Sequence, residues 1–130
     1  SGLVGITPAA GFVAPVPALV IGILTAVVCY FSVTKLKIML KYDDSMDAFG
    51  IHGIGGMVGA VLTGVFVSTT ISGASVNWFA QIEGIGITVL YSGIVSLVLL
   101  KIIDKTMGLR VDADEERQGL DISSHGERIE

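Results

Sequence analysis

The stretch DAFGIHGIGG, residues 47–56, places an acid, a histidine and four glycines in a run that is otherwise hydrocarbon. Between residues 48 and 82, His52 is the only ionisable side chain. The same poverty of charge extends outward, since residues 1–34 carry none. Hydrophobic residues make up 52% of the 130, and mean hydropathy is +0.77, too high for an ordinary soluble domain of this size. A transmembrane helix needs roughly 20 apolar residues. Segments 16–34, 47–67 and 82–103 meet that length. Residues 1–12 read as the end of a further span, with Pro15 and Pro17 marking the turn after it. A soluble amphipathic helix would carry charge every few residues on one face. These segments carry none for several turns. The sequence therefore predicts an all-α polytopic membrane protein, with a membrane region over 1–110 and a tail over 111–130.

Charge also predicts orientation. Lys35, Lys37 and Lys41 follow the first span, and Lys101, Lys105 and Arg110 end or follow the third, whereas the connection 68–81 has no lysine or arginine. Two crossings separate the basic regions, so both lie on one side, which the positive-inside rule makes cytoplasmic. Trp78 and Phe79 fall where an interfacial aromatic belt would place them. The net charge of −4 belongs to the tail, which holds seven acids and two bases from Asp112 onward. Nothing is basic enough to suggest nucleic acid. The one cysteine, Cys29, sits in an apolar run, which excludes a disulfide framework and predicts a small core thiol. The chain starts at Ser1 without a basic leader, so its first residues are not a signal peptide. They read instead as a start inside or at the end of a span, with part of any site in preceding sequence.

Helices in lipid associate through small residues that permit close approach. Ala18, Gly22 and Ala26 form such a seam in the first span, and Gly84, Thr88, Ser92 and Ser96 in the third. The second span has two, Gly55, Gly59 and Thr63 beside Gly56, Ala60 and Gly64. The tail opens with Asp112 and Glu115, a helix-start pattern, and its later part is broken at Gly119 and Gly126.

An ionisable residue in a membrane is expensive and faces a bundle interior or a polar cavity. At spacings of four, His52 extends the stripe Gly56, Ala60, Gly64. That leaves room beside the ring for a packed helix or a narrow passage. Three readings stay open here. The ring is satisfied by one hydrogen bond across a helix interface; or it binds a metal, against which stands the lack of a second histidine or cysteine at ligand spacing; or it lines a conduction path. A desolvated imidazole stays uncharged and offers one donor and one acceptor, so it can bond a small polar solute without trapping it. Asp47 lies five residues earlier, about 140° round a helix and roughly 7 Å lower, out of easy reach of the ring. With Ala48 it is expected at the cytoplasmic boundary, pore-adjacent or capping the helix N-terminus.

DAFGIHGIGGMVGAVLTGVF resembles the signature of the tenth membrane helix of the ammonium transporter (Amt/Mep/Rh) family. GLVGITPAAGFV resembles the end of the eighth, and GLRVDADEERQGLDISSHGE the family's cytoplasmic tail, in its Amt branch. The resemblance covers nearly the whole chain, in order. It implies the C-terminal portion of an eleven-helix fold that assembles as a homotrimer in the cell membrane. Each protomer of that fold has its own hydrophobic pore lined by a histidine pair, of which His52 is the second member. It implies that ammonium is recruited outside and that ammonia crosses past the imidazoles, with no cofactor. It implies a tail that a PII-type signalling protein meets at the cytoplasmic face, and it marks Ser123 as a regulatory position. Two other classes remain beside the transporter. Some relatives act chiefly as ammonium sensors, and a purely structural bundle would explain the glycine seams but not His52. An enzyme is disfavoured, because no nucleophile–base pair or ligand cluster is evident.

Overall fold

The computed structural model describes residues 1–127, so the last three positions of the expected tail lie outside it. The chain divides into two compact units, Ser1–Thr88 and Val89–Glu130. Three helices among the described residues are long and apolar enough to cross a membrane: Pro15–Leu40, Phe49–Phe66 and Trp78–Thr106.

The first unit begins with a short helix, α1 (Gly2–Ile6), which tightens into a 3₁₀ turn over Thr7–Ala9. Gly11, at φ +81°, reverses the chain. Helix α2 (Pro15–Phe31) then starts with Pro15 at its first position. There the missing N–H costs nothing, because the first four have no intrahelical partner. The sequence predicts an end near residue 34, but the first span runs to Leu40. It passes through a single π turn, Ser32–Leu36, into α3 (Lys37–Leu40). The physical reason is that both lysines find partners without leaving the helix. The Lys35 ammonium lies 5.2 Å from the centre of the Phe31 ring, and the Lys37 ammonium pairs with Asp47. Lys41, in the left-handed region at φ +53°, ends the span.

The second span opens with another π turn, Phe49–Gly53, and continues as α4 (Ile54–Phe66). Its packing explains the glycines. A Cβ on Gly59 would stand 2.2 Å from the carbonyl oxygen of Gly5, and one on Gly5 would stand 2.1 Å from the Thr25 hydroxyl. Helices α1 and α4 therefore meet backbone to backbone, and α2 reaches them through the short side chains of Thr25 and Cys29, the close approach that small residues permit in lipid. The buried face of the first span is Ile21, Thr25, Cys29 and Ser32. The expected seam of Ala18, Gly22 and Ala26 lies along its half-buried margin, where the Gly22 carbonyl abuts Gly2.

A short helix, α5 (Thr69–Ser72), lies in the connection to the third span. The Ser68 N–H donates to the Phe12 carbonyl at 2.8 Å, tying that connection back to the start of the chain. Helix α6 (Trp78–Thr106) is the third span, four residues longer at its start than predicted and three longer at its end. The Asn77 side chain accepts from the Ala80 N–H at 3.2 Å and fixes the start. No residue of α6 is buried, and a Cβ on Gly84 or Gly93 would meet no described atom within 4 Å.

Within the second unit, Gly108 at φ +80° ends the helix, and two short helices come after it, α7 (Ala113–Gln118) and α8 (Leu120–His125). Asp112 stands at the N-cap of α7 as its sequence pattern predicts, without a side-chain capping bond. Arg110 instead grips the first turns of α7, with Nε 2.9 Å and a terminal nitrogen 2.5 Å from the two Glu116 carboxylate oxygens.

Candidate functional site

His52 lies in the π turn Phe49–Gly53 and is exposed. Its ring has no hydrogen-bond partner among the described residues. Along the stripe below it, the far half is covered. The Gln81 side-chain amide donates to the Ala60 carbonyl, and a Cβ on Gly64 would lie 3.1 Å from the Trp78 ring. At Gly56 a Cβ would meet no described atom within 4 Å. The open part of the stripe is therefore His52 and Gly56. Beyond the covered part is a cleft of about 180 Å³ whose walls include Phe12, Thr63, Asn77 and Gln81. Gly55 and Gly59 are buried on the other side of the helix, toward Cys29 and Gly5. The two expected seams thus differ: the Gly55 and Gly59 seam is packed, whereas the stripe below His52 is partly open.

Behind His52 the two π turns face one another. Gly50 is buried, and a Cβ on it would be 2.9 Å from the Val33 methyl and 3.3 Å from the Ser32 hydroxyl. The Cys29 thiol donates to the Ile51 carbonyl at 3.6 Å. π turns inside α-helices are rare and concentrate at functional sites.

At the base of the second span, Asp44 carries the capping role. Its carboxylate accepts from the N–H groups of Ala48 at 2.8 Å, Phe49 at 2.9 Å and Gly50 at 3.5 Å. These are orphan donors of a helix N-terminus, where negative charge is favoured. Asp47 is turned away, in the left-handed region at φ +55°, and pairs with Lys37 at 2.6 Å. The same ammonium donates to the Asp44 carbonyl at 2.5 Å. Lys37 thus ties the end of the first span to the start of the second. Tyr42 stacks edge-on against Phe49, 5.7 Å between ring centres, and closes the turn. Of the residues expected here, Ala48 supplies a capped N–H, and Asp47 anchors a cation.

The sequence places Lys37 only in the basic flank and does not single out Asp44 as the cap, although an acid four residues before Ala48 is a detectable signal. Nor does it mark Cys29 as a partner of the His52 turn. Ser123 lies in α8, exposed, its hydroxyl donating to the Gly119 carbonyl at 3.1 Å. Among the described residues no group of three or more His, Cys, Asp or Glu gathers as a metal site would require.

The sequence model of the Ammonium Transporter Family matches residues 1–129. An ammonium transporter of Bacillus subtilis is 43% identical over 98% of this chain and 34% of its own length. One of Aquifex aeolicus is 45% identical over 98% of this chain and 32% of its own. The crystal structure of Saccharomyces cerevisiae Mep2 superposes with a TM-score of 0.74 at 37% identity, covering 87% of this chain and 29% of that one. The chain spans about a third of the length of the curated relatives it matches. The match in family, sequence and helical fold has one conclusion: this chain belongs to the ammonium transporter family.

Proposed function

We propose that this chain forms the last third of a transporter protomer that moves ammonia, taken from recruited ammonium, past His52. The observation that carries the reading is the position of that ring, exposed beside the open surface at Gly56 in a span with no other ionisable group above its base. Relatives named ammonium transporters support the solute. The chemistry suits it as well. Ammonia is a small neutral that trades hydrogen bonds with an imidazole, whereas a potassium ion would need an oxygen cage to replace its hydration. In this reading the ring is the second of two pore histidines, the first belonging to sequence before residue 1. The lysine-bearing ends of the spans and the tail face the cytoplasm of a cell membrane, the protomers form a homotrimer, and a PII-type protein meets the tail.

The test is His52→Leu in a complete protomer that carries this stretch. The change keeps similar volume and removes both ring nitrogens. Assembly should persist, since the packing rests on Gly5, Gly55 and Gly59, while ammonium-evoked current or uptake falls strongly or changes its charge balance. Parental transport per folded trimer, with unchanged current and selectivity, overturns the reading.

A further inference from the structure

We infer that Cys29 and Gly50 are positioning residues for His52, acting by keying the π turn of the second span into the π turn of the first. The inference rests on the reading of His52 as pore-lining. Three observations meet at this place. Each span departs from α geometry for one turn only: the Ile54 N–H reaches back to the Phe49 carbonyl, and the Lys37 N–H to the Ser32 carbonyl. The two widened turns lie against each other, with Gly50 seated on Ser32 and Val33 so closely that a Cβ would touch both. The carbonyl next to His52 in the chain, that of Ile51, is met from outside its own helix by the Cys29 thiol.

A widened turn weakens the helix's own hydrogen-bond ladder, so its carbonyls lean on outside donors and its orientation depends on what holds it. Cys29 and Ile51 supply the donor and acceptor; Gly50 supplies the space that lets them meet. Neither Cys29 nor Gly50 touches the exposed side of the turn, where the imidazole projects. Their effect on a solute is therefore routed through the direction of the His52 ring. Cysteine suits the position because its thiol is a weak donor on a small apolar body, able to reach one carbonyl without adding a second polar demand in lipid.

The experiment uses the complete trimer, with ring-¹⁵N-labelled histidine and the His52 signal identified by its loss in His52→Leu. Cys29→Ala removes the donor together with its γ atom, and Cys29→Ser restores a γ donor. The expected result is a displaced His52 ring signal and an altered pH profile of ammonium transport in Cys29→Ala, with both returned toward the parent in Cys29→Ser. A parental ring signal and pH profile in a folded Cys29→Ala trimer would overturn the inference, whatever happened to thermal stability. Should Cys29→Ala not assemble, Gly50→Ala attacks the same contact from the other span. A folded Gly50→Ala trimer with an unmoved His52 signal overturns the inference equally. The two readings separate cleanly. If His52→Leu transports normally, the pore reading fails; the ring signal still decides whether Cys29 and Gly50 set the direction of that side chain.

Discussion

Gly59 faces the backbone of Gly5 so closely that a Cβ would stand 2.2 Å from the Gly5 carbonyl oxygen. Backbone is the least yielding neighbour a new methyl can meet. The second span is thereby held to the start of the chain by contact that no larger side chain permits.

Gly59→Ala should lower the stability of the folded protein by about 1–3 kcal/mol, the usual cost of forcing a methylene into a packed interface. Gly56→Ala is the matched control, because its Cβ would meet no described atom within 4 Å. It should leave stability within about 0.5 kcal/mol of the parent, or raise it through the better helix propensity of alanine. Thermal midpoints of the two variants, taken in the same detergent, check the contrast. Equal losses would mean that Gly56 is packed as well.

Asp44→Ala should cost about 0.5–2 kcal/mol, the range for losing a helix cap, because three N–H groups lose their acceptor. Asp47→Ala should cost less. It breaks one solvent-accessible ion pair, a weak contribution in water, and Lys37 keeps the Asp44 carbonyl. Denaturation of the two variants ranks the roles, and a larger loss for Asp47→Ala would assign the cap to the wrong acid.

The tail predicts a pH effect through Glu116. The Arg110 guanidinium, first by hydrogen bond and then by charge, holds this carboxyl below its ordinary value. A depressed carboxyl favours the folded pairing above the ordinary glutamate value of about 4.3. The advantage is lost as pH falls from there through the folded value. Ordering of α7 should therefore weaken on acidification, and also on adding salt, since the pair is solvent-exposed. Carboxyl NMR of Glu116 reads this directly, and Glu116→Gln should abolish the acid-dependent step. A step that persists in Glu116→Gln would belong to another group.

The charge asymmetry predicts that the connection holding Ser72 is outside the cell. A Ser72→Cys variant in a Cys29→Ser background should react with an impermeant maleimide on intact cells. Reaction only after permeabilisation would reverse the topology.

Much of this architecture was legible in the sequence because lipid imposes a single requirement over some twenty residues at a time. The three spans, and the break to polar sequence after Gly108, stem from that requirement. What stayed hidden depends on contacts between elements. Asp47 was placed by regular-helix arithmetic, but the chain leaves helical geometry at that residue, and this frees Asp44 to fold back onto the donors. The π turns leave no mark on hydropathy, since a span that is apolar on nearly every face shows no phase for a widened turn to shift. Trp78, legible only as an interfacial aromatic, in fact covers Gly64. The first span's buried face is centred on Ile21, Thr25, Cys29 and Ser32, not on its smallest residues. The room for those side chains is supplied by glycines across the interface, at Gly5, Gly50 and Gly55.

The third span has 29 residues and buries none of them. At 1.5 Å per residue it is about 44 Å long, against roughly 30 Å of hydrocarbon in a bilayer. It is long enough to span the hydrocarbon with some tilt. A thin membrane is met by a steeper lean, and a thick one by drawing the stems of Lys101 and Lys105 inward while their ammonium groups stay at the headgroups.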